Sequence, residues 1–220
     1  MLKAHFPADI FYNEATFDIQ YGNVRRATHK NTSWDIARFE VCGHKWADVS
    51  EAGYGLSLMN DCKYGYSVDE NSIALTLLKS STYPNPEADQ ETHRFTYAIR
   101  PHQGGWRESG TPLMAYMLNV PVLAFPGSGG KTELPSFASV DRENVTIEAV
   151  KQQLDGEDTI LRLYECYGAR TDVTLTLGEE PASVRIVNLL EEDLAPANQN
   201  GNQIRFILKP YEILTLKVTF

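Results

Sequence analysis

The chain has 220 residues, 42% hydrophobic and 22% charged, ordinary globular values that exclude disorder throughout. Net charge is -9, pI is about 5.0, and no Lys/Arg cluster offers a face for phosphate. A nucleic-acid partner is therefore excluded, and an acidic membrane surface would repel the chain.

No apolar run approaches the roughly 20 residues that span a bilayer, so no membrane partner is expected. In MLKAHFPADIFYNE, acids and a proline come too early for a signal peptide. Cys42, Cys62 and Cys166 are odd in number and widely spaced. Reduced thiols in a cytoplasmic protein are the simpler reading.

Alternation of period two dominates. ATFDIQYG sets Ala15, Phe17, Ile19 and Tyr21 on one face, and ARFEVCG, YGLSLMN and SIALTLLK read the same way. In HRFTYAIR, Phe95, Tyr97 and Ile99 alternate with Arg94, Thr96, Ala98 and Arg100. One helix is expected at TPLMAYMLN, capped by Thr111, with Pro112 in its first turn and an end near Asn119. After a loop rich in Gly, Ser and Pro, a boundary is expected within Ser136 to Asn144. Beyond it NVTIEAVK, TILRLYE, DVTLTLG, SVRIVNLL, QIRFILK and ILTLKVTF make about six short strands. The fold class is all-β, as packed antiparallel sandwiches, with domains at 1–140 and 141–220.

Short motifs carry little chemistry. FPGSGGKTELP ends like a phosphate-binding loop, but Phe125 stands where the first glycine belongs and Pro135 blocks the helix that must follow. A flexible loop is expected there. The histidines His5, His29, His44, His93 and His102 lack ligand spacing and the cysteines lack CxxC, so no metal site is expected and the histidines read as isolated surface or strand-end residues. No GxSxG elbow occurs, and EEDL at Glu191 to Leu194 reads as a solvated turn. No catalytic residue is identified.

NTSWDIARFEVCGHKWADVSE and LSLMNDCKYGYSV mix aromatics with polar groups at strand ends. Sugar sites use this mix, since aromatic faces cover the C–H face of a pyranose while Asp, Asn and Lys bond its hydroxyls. Core tryptophans beside a polar turn would look the same, and residue types alone favour that plainer reading. Trp34, Trp46 and Trp106 are expected to pack, and Asp48 to accept hydrogen bonds at a strand end.

NTSWDIARFEV, HKWADVSEAGYGLSLMNDCKYGYSV, SSTYPNPEADQETHRFTYAIRPH, VNLLEED and KPYEILTLKV resemble, in order, the C-terminal β region of glycoside hydrolase family 38 α-mannosidases, cytosolic and bacterial branch. The resemblance implies part of a large mutarotase-like β-sandwich followed by a small terminal one. It implies a zinc-dependent retaining α-mannosidase, whose carboxylates and zinc ligands lie in an upstream catalytic domain that this chain does not match. The chain is thus expected to be inactive alone, with zinc only in that upstream partner and mannose-containing glycans as substrate. The resemblance places the loop after LSLMN at the border of the sugar pocket. It makes Asn60, Asp61, Lys63, Tyr64 and Tyr66 the substrate-binding candidates. A stand-alone carbohydrate-binding module and an oligomerisation domain are the alternatives. Met1 stands ahead of what looks like a sandwich interior, so an exposed strand edge and a homo-oligomer through it are expected.

Overall fold

A computed structural model describes residues 1–69, 71–127, 130 and 136–220. Ser128, Gly129 and Lys131 to Pro135, which carry most of the glycine-rich loop, lie outside the described residues. Two compact units divide the chain, Met1–Leu123 and Ala124–Phe220.

The first unit is a sandwich of two antiparallel sheets. In chain order come β1 (Leu2–Pro7), β2 (Glu14–Ile19), β3 (Gly22–Ala27), helix α1 (Ser33–Ala37), β4 (Val41–Cys42), β5 (Trp46–Ser50) and β6 (Tyr54–Asn60). Then follow β7 (Gly65–Asp69), β8 (Ser72–Leu78), β9 (Tyr97–Gln103) and helix α2 (Thr111–Asn119). One sheet has the order β3-β2-β5-β6-β9 and the other β1-β8-β7-β4. Alternation sends Phe17, Ala47, Val49, Leu56 and Leu58 of the first sheet against Tyr66, Ile73, Leu75 and Leu77 of the second. The opposite face of β5 and β6 is also buried, because α2 lies on it. Trp46 of that face stacks on Trp106, ring centres 5.1 Å apart.

Several expectations are corrected here. ARFEVCG is mostly not a strand. Thr32 caps α1 and Asp35 returns the bond to the Thr32 amide, and this reciprocal pair holds one helical turn where alternation suggested extension. Trp34 is 82% exposed on that turn and does not pack. HRFTYAIR becomes strand only from Tyr97. Helix α2 keeps its expected span, but Gly110, in the left-handed region at φ 67°, is its cap. Thr111 instead turns its hydroxyl inward. EEDL is a turn only at its start, since Asp193 and Leu194 open a strand.

The second unit is another sandwich. Its strands are β10 (Ala138–Val140), β11 (Val145–Gln152), β12 (Thr159–Glu165), β13 (Thr171–Leu177) and β14 (Ser183–Val187). They are followed by β15 (Asp193–Pro196), β16 (Asn198–Asn200), β17 (Gln203–Leu208) and β18 (Ile213–Thr219). Sheets β10-β13-β17-β16 and β11-β12-β18-β14-β15 enclose Leu161, Leu163, Leu175, Ile204, Leu216 and Val218, all essentially buried. Asp193 bridges Arg185 at 2.9 Å and Lys217 at 2.5 Å on the edge of the larger sheet.

Candidate functional site

The β6–β7 connection is shaped by one side chain. Asn60 Oδ1 accepts from the amides of Cys62, at 3.0 Å, and Lys63, which folds the backbone back on itself. Its Nδ2 donates to the His44 carbonyl at 2.9 Å and to the Tyr66 hydroxyl. Tyr66 donates in turn to the His44 carbonyl at 3.0 Å while its ring fills the core against Phe17. Burial pushes the Tyr66 phenol far above its ordinary range, against the bond from Asn60. Both residues are 1% exposed or less. They form the floor of the loop, with every polar atom committed.

Asp61, Lys63 and Tyr64 form its rim. Asp61 Oδ1 accepts from the Thr96 amide at 3.0 Å, and its own amide donates to the Thr96 carbonyl at 3.1 Å. Slight burial raises the Asp61 pKa, but bonds from Cys62 and Thr96 outweigh it and hold the carboxyl below its ordinary value. Burial and the neighbouring Asp61 push the Cys62 thiol up, away from thiolate chemistry. The Lys63 ammonium sits 4.9 Å above the Phe95 ring. Tyr64 is 59% exposed, with His44 edge-on at 5.3 Å. A cleft of about 160 Å³ lies beside Asp61 and Tyr64, lined also by His44, Lys45, Asn60, Cys62 and Asn119, and Lys63 is not part of its lining. That is well below the 300–1,000 Å³ of a typical closed ligand site. The cleft offers an ionised carboxylate, an ammonium and an open aromatic face.

The sequence predicts helix α2, but not its place behind this loop. Asn119, the last residue of α2, donates from Nδ2 to the Asn60 carbonyl at 3.0 Å and to the Ala115 carbonyl at 2.8 Å. The other end of α2 is tied to a buried polar chain. His102 Nε2 donates to Asp48 Oδ2 at 2.7 Å, and Ser57 donates to the same oxygen at 2.6 Å. Ser57 has given its only proton, so across 2.7 Å it accepts from Thr111. Ser50 donates to Asp48 Oδ1. His102 is therefore no isolated strand-end histidine. Burial lowers its pKa, but the bond and charge of Asp48 outweigh that, and the net shift is upward from 6.5. Gly55 makes room for this pair, since a Cβ there would lie 2.2 Å from His102 Cε1. The serine bonds the carboxylate and not the imidazole, so the chain is not a nucleophile–base relay. Among the described residues no cluster of three His, Cys, Asp or Glu could hold a metal ion, and no helix is long and apolar enough to cross a membrane.

Two family models match. Residues 1–87 fit the glycosyl hydrolases family 38 C-terminal domain, and residues 144–216 fit the glycosyl hydrolases family 38 C-terminal beta sandwich domain. Human alpha-mannosidase 2C1 is 40% identical over 222 residues, covering 98% of this chain and 21% of the human protein. The alpha-mannosidase of Saccharomyces cerevisiae is 33% identical over 242 residues, covering 100% of the chain and 22% of its own length. The chain therefore spans about a fifth of these relatives. The crystal structure of an alpha-mannosidase from Enterococcus faecalis V583 has a TM-score of 0.80 at 19% identity, over 98% of this chain and 25% of its own. That likeness supports the fold.

Proposed function

Because the chain belongs to glycosyl hydrolase family 38, as the C-terminal β region of an α-mannosidase, we propose that it completes the sugar pocket of a zinc-dependent retaining enzyme. The substrate class is mannose-containing oligosaccharides. In this reading zinc and the two carboxylates of retaining hydrolysis belong to an upstream catalytic domain, and the chain is inactive alone.

The half-open cleft at the β6–β7 loop carries the reading. Its floor is fixed by Asn60 and Tyr66, and its rim is open at Asp61 and Tyr64. A sugar needs an acceptor, a donor and a flat apolar face, which Asp61, Lys45 and Tyr64 supply in the cleft, while Lys63 sits beside it over the Phe95 ring. Asn60 and Tyr66 then act by holding these groups in place. Such contacts position a substrate without touching the bond that breaks. Cys42, Cys62 and Cys166 are not joined in disulfides, which suits the reducing cytosol as the compartment.

The test is hydrolysis of an aryl α-mannoside, with zinc, by this chain, by the separately made upstream domain, and by the two mixed. Activity in the mixture alone is expected. In the intact enzyme, Asp61→Ala with Tyr64→Ala is expected to lower kcat/KM at least about tenfold. Unchanged kcat and KM would remove the loop from the pocket. Mannoside binding by this chain alone, with no gain on mixing, would favour a stand-alone binding module.

A further inference from the structure

We propose that the outer face of the β10-β13-β17-β16 sheet is a second, non-catalytic carbohydrate-binding surface, for the neutral hydroxylated part of a glycan. The alternation that buries Val173, Leu175, Ile204 and Phe206 turns Asp172, Thr174 and Arg205 outward. Register places Thr174 opposite Arg205 and Asn198 opposite Arg205, so these side chains share one face. With Asp141 and Arg142 they line a concavity of about 390 Å³, within the range of small-molecule sites.

Its walls are built and its centre is uncommitted. The rim is tied to the sheet, because the Thr174 amide donates to Asp141 Oδ1 at 2.8 Å and Arg142 Nε donates to the Asp172 carbonyl at 2.9 Å. The side chains of Asp172, Asn198 and Arg205, by contrast, have no hydrogen-bond or ion-pair partner among the described residues. Asp172 and Arg205 carry opposite charges on adjacent strands, two register steps apart. They bracket the space and do not neutralise each other.

The occupant follows from the donor and acceptor inventory. Arg142 and Arg205 balance Asp141 and Asp172 in formal charge, so neither an anion nor a cation is favoured. Val173, Phe206 and Ile207 add apolar surface to the hollow, but the other six lining residues are polar or charged, so a purely apolar partner is not favoured. A carboxylate, an amide and a guanidinium around one hollow suit adjacent hydroxyls, each of which donates to one neighbour and accepts from another. The surface does not depend on the β6–β7 loop. Only the choice of a mannoside as probe rests on the function proposed above.

The experiment is an NMR titration of the full chain with α-linked mannobiose, with glycerol and inorganic phosphate as comparisons. Saturable shifts are expected at the Asn198 side-chain amide, the Arg205 Nε–H and the Thr174 amide, with millimolar affinity. Arg205→Ala and Asn198→Ala, both surface changes, are expected to keep the remaining spectrum and weaken binding about tenfold. Asp61→Ala should leave these shifts unchanged. No saturable shift at these signals, equal shifts with glycerol, or saturation by phosphate alone would each overturn the proposal. Shifts confined to residues 60–66 would also overturn it while supporting the pocket at the loop.

Discussion

Asp48 in the first unit and Glu165 in the second are both buried to within 2%, and they are held in opposite ways. Glu165 accepts mostly from the backbone. The amides of Tyr167, Gly168, Ala169 and Tyr211 converge on it at 2.8 to 3.1 Å, with Asn144 Nδ2 as the fifth donor at 2.9 Å. Among the described residues Asp48 accepts from side chains alone, those of Ser50, Ser57 and His102. Amides do not titrate and cannot swing away, so Glu165 is a fixed knot joining the end of β12 to the turn before β18. The Asp48 partners rotate, and one of them titrates. Through Thr111 they reach α2, whose far end holds the carbonyl of Asn60. The second unit spends its buried carboxylate on rigidity. The first spends its own on docking the helix that braces the loop.

The largest effect that would test this contrast is Glu165→Ala. It removes the shared acceptor of five donors, those of Tyr167, Gly168 and Asn144 buried or half-buried, and is expected to cost at least about 3 kcal/mol. Urea denaturation of the full chain checks this, and a loss under about 1 kcal/mol would show that water replaces the carboxylate freely.

A smaller effect separates the two networks by pH. His102 has a folded pKa raised above 6.5. The folded state therefore binds the proton more tightly than the unfolded chain. The stability from the pair is fully present below about pH 6.5 and is lost as pH rises through the folded pKa, with a slope of at most about 1.4 kcal/mol per unit. His102→Gln is expected to flatten that window, while Glu165→Ala should leave its slope as it is. Identical pH profiles for wild type and His102→Gln would show that Asp48 does not hold a charged histidine.

Asn119→Ala is expected to have the smallest effect, about 1 kcal/mol, because it removes two hydrogen bonds made by one half-buried neutral side chain. Its signature is local. Amides of Asp61 to Lys63 should exchange faster with solvent while those of β12 and β18 do not. Uniform protection would mean that α2 does not brace the loop.

Much of this was legible along the chain. Strands β2, β6, β8, β11, β12, β13, β14, β17 and β18 follow from alternation, because a sheet with one buried face imposes period two on its own sequence. The polar crowding after LSLMN reads from residue types alone as a plain polar turn, and only the resemblance singles the loop out. Helix α1 escaped notice because five residues show no helical period, and its evidence is a capping pair instead. The partnership of His102 with Asp48 also escaped, because 54 residues separate them and only strand pairing brings them together.

The sequence by itself determined that the chain is all-β and that it resembles family 38. Both are written in local order, in alternation and in long motifs. Only the tertiary structure decided which loop residues face inward. Asn60 and Tyr66 read like Asp61 and Tyr64 in the sequence. Yet the first pair is sealed against the His44 carbonyl and the second stands at the rim. The same holds for Trp46 and Trp34, one stacked beneath α2 and the other in water. Residue type states what a side chain can bond, and burial depends on what distant strands and helices place above it.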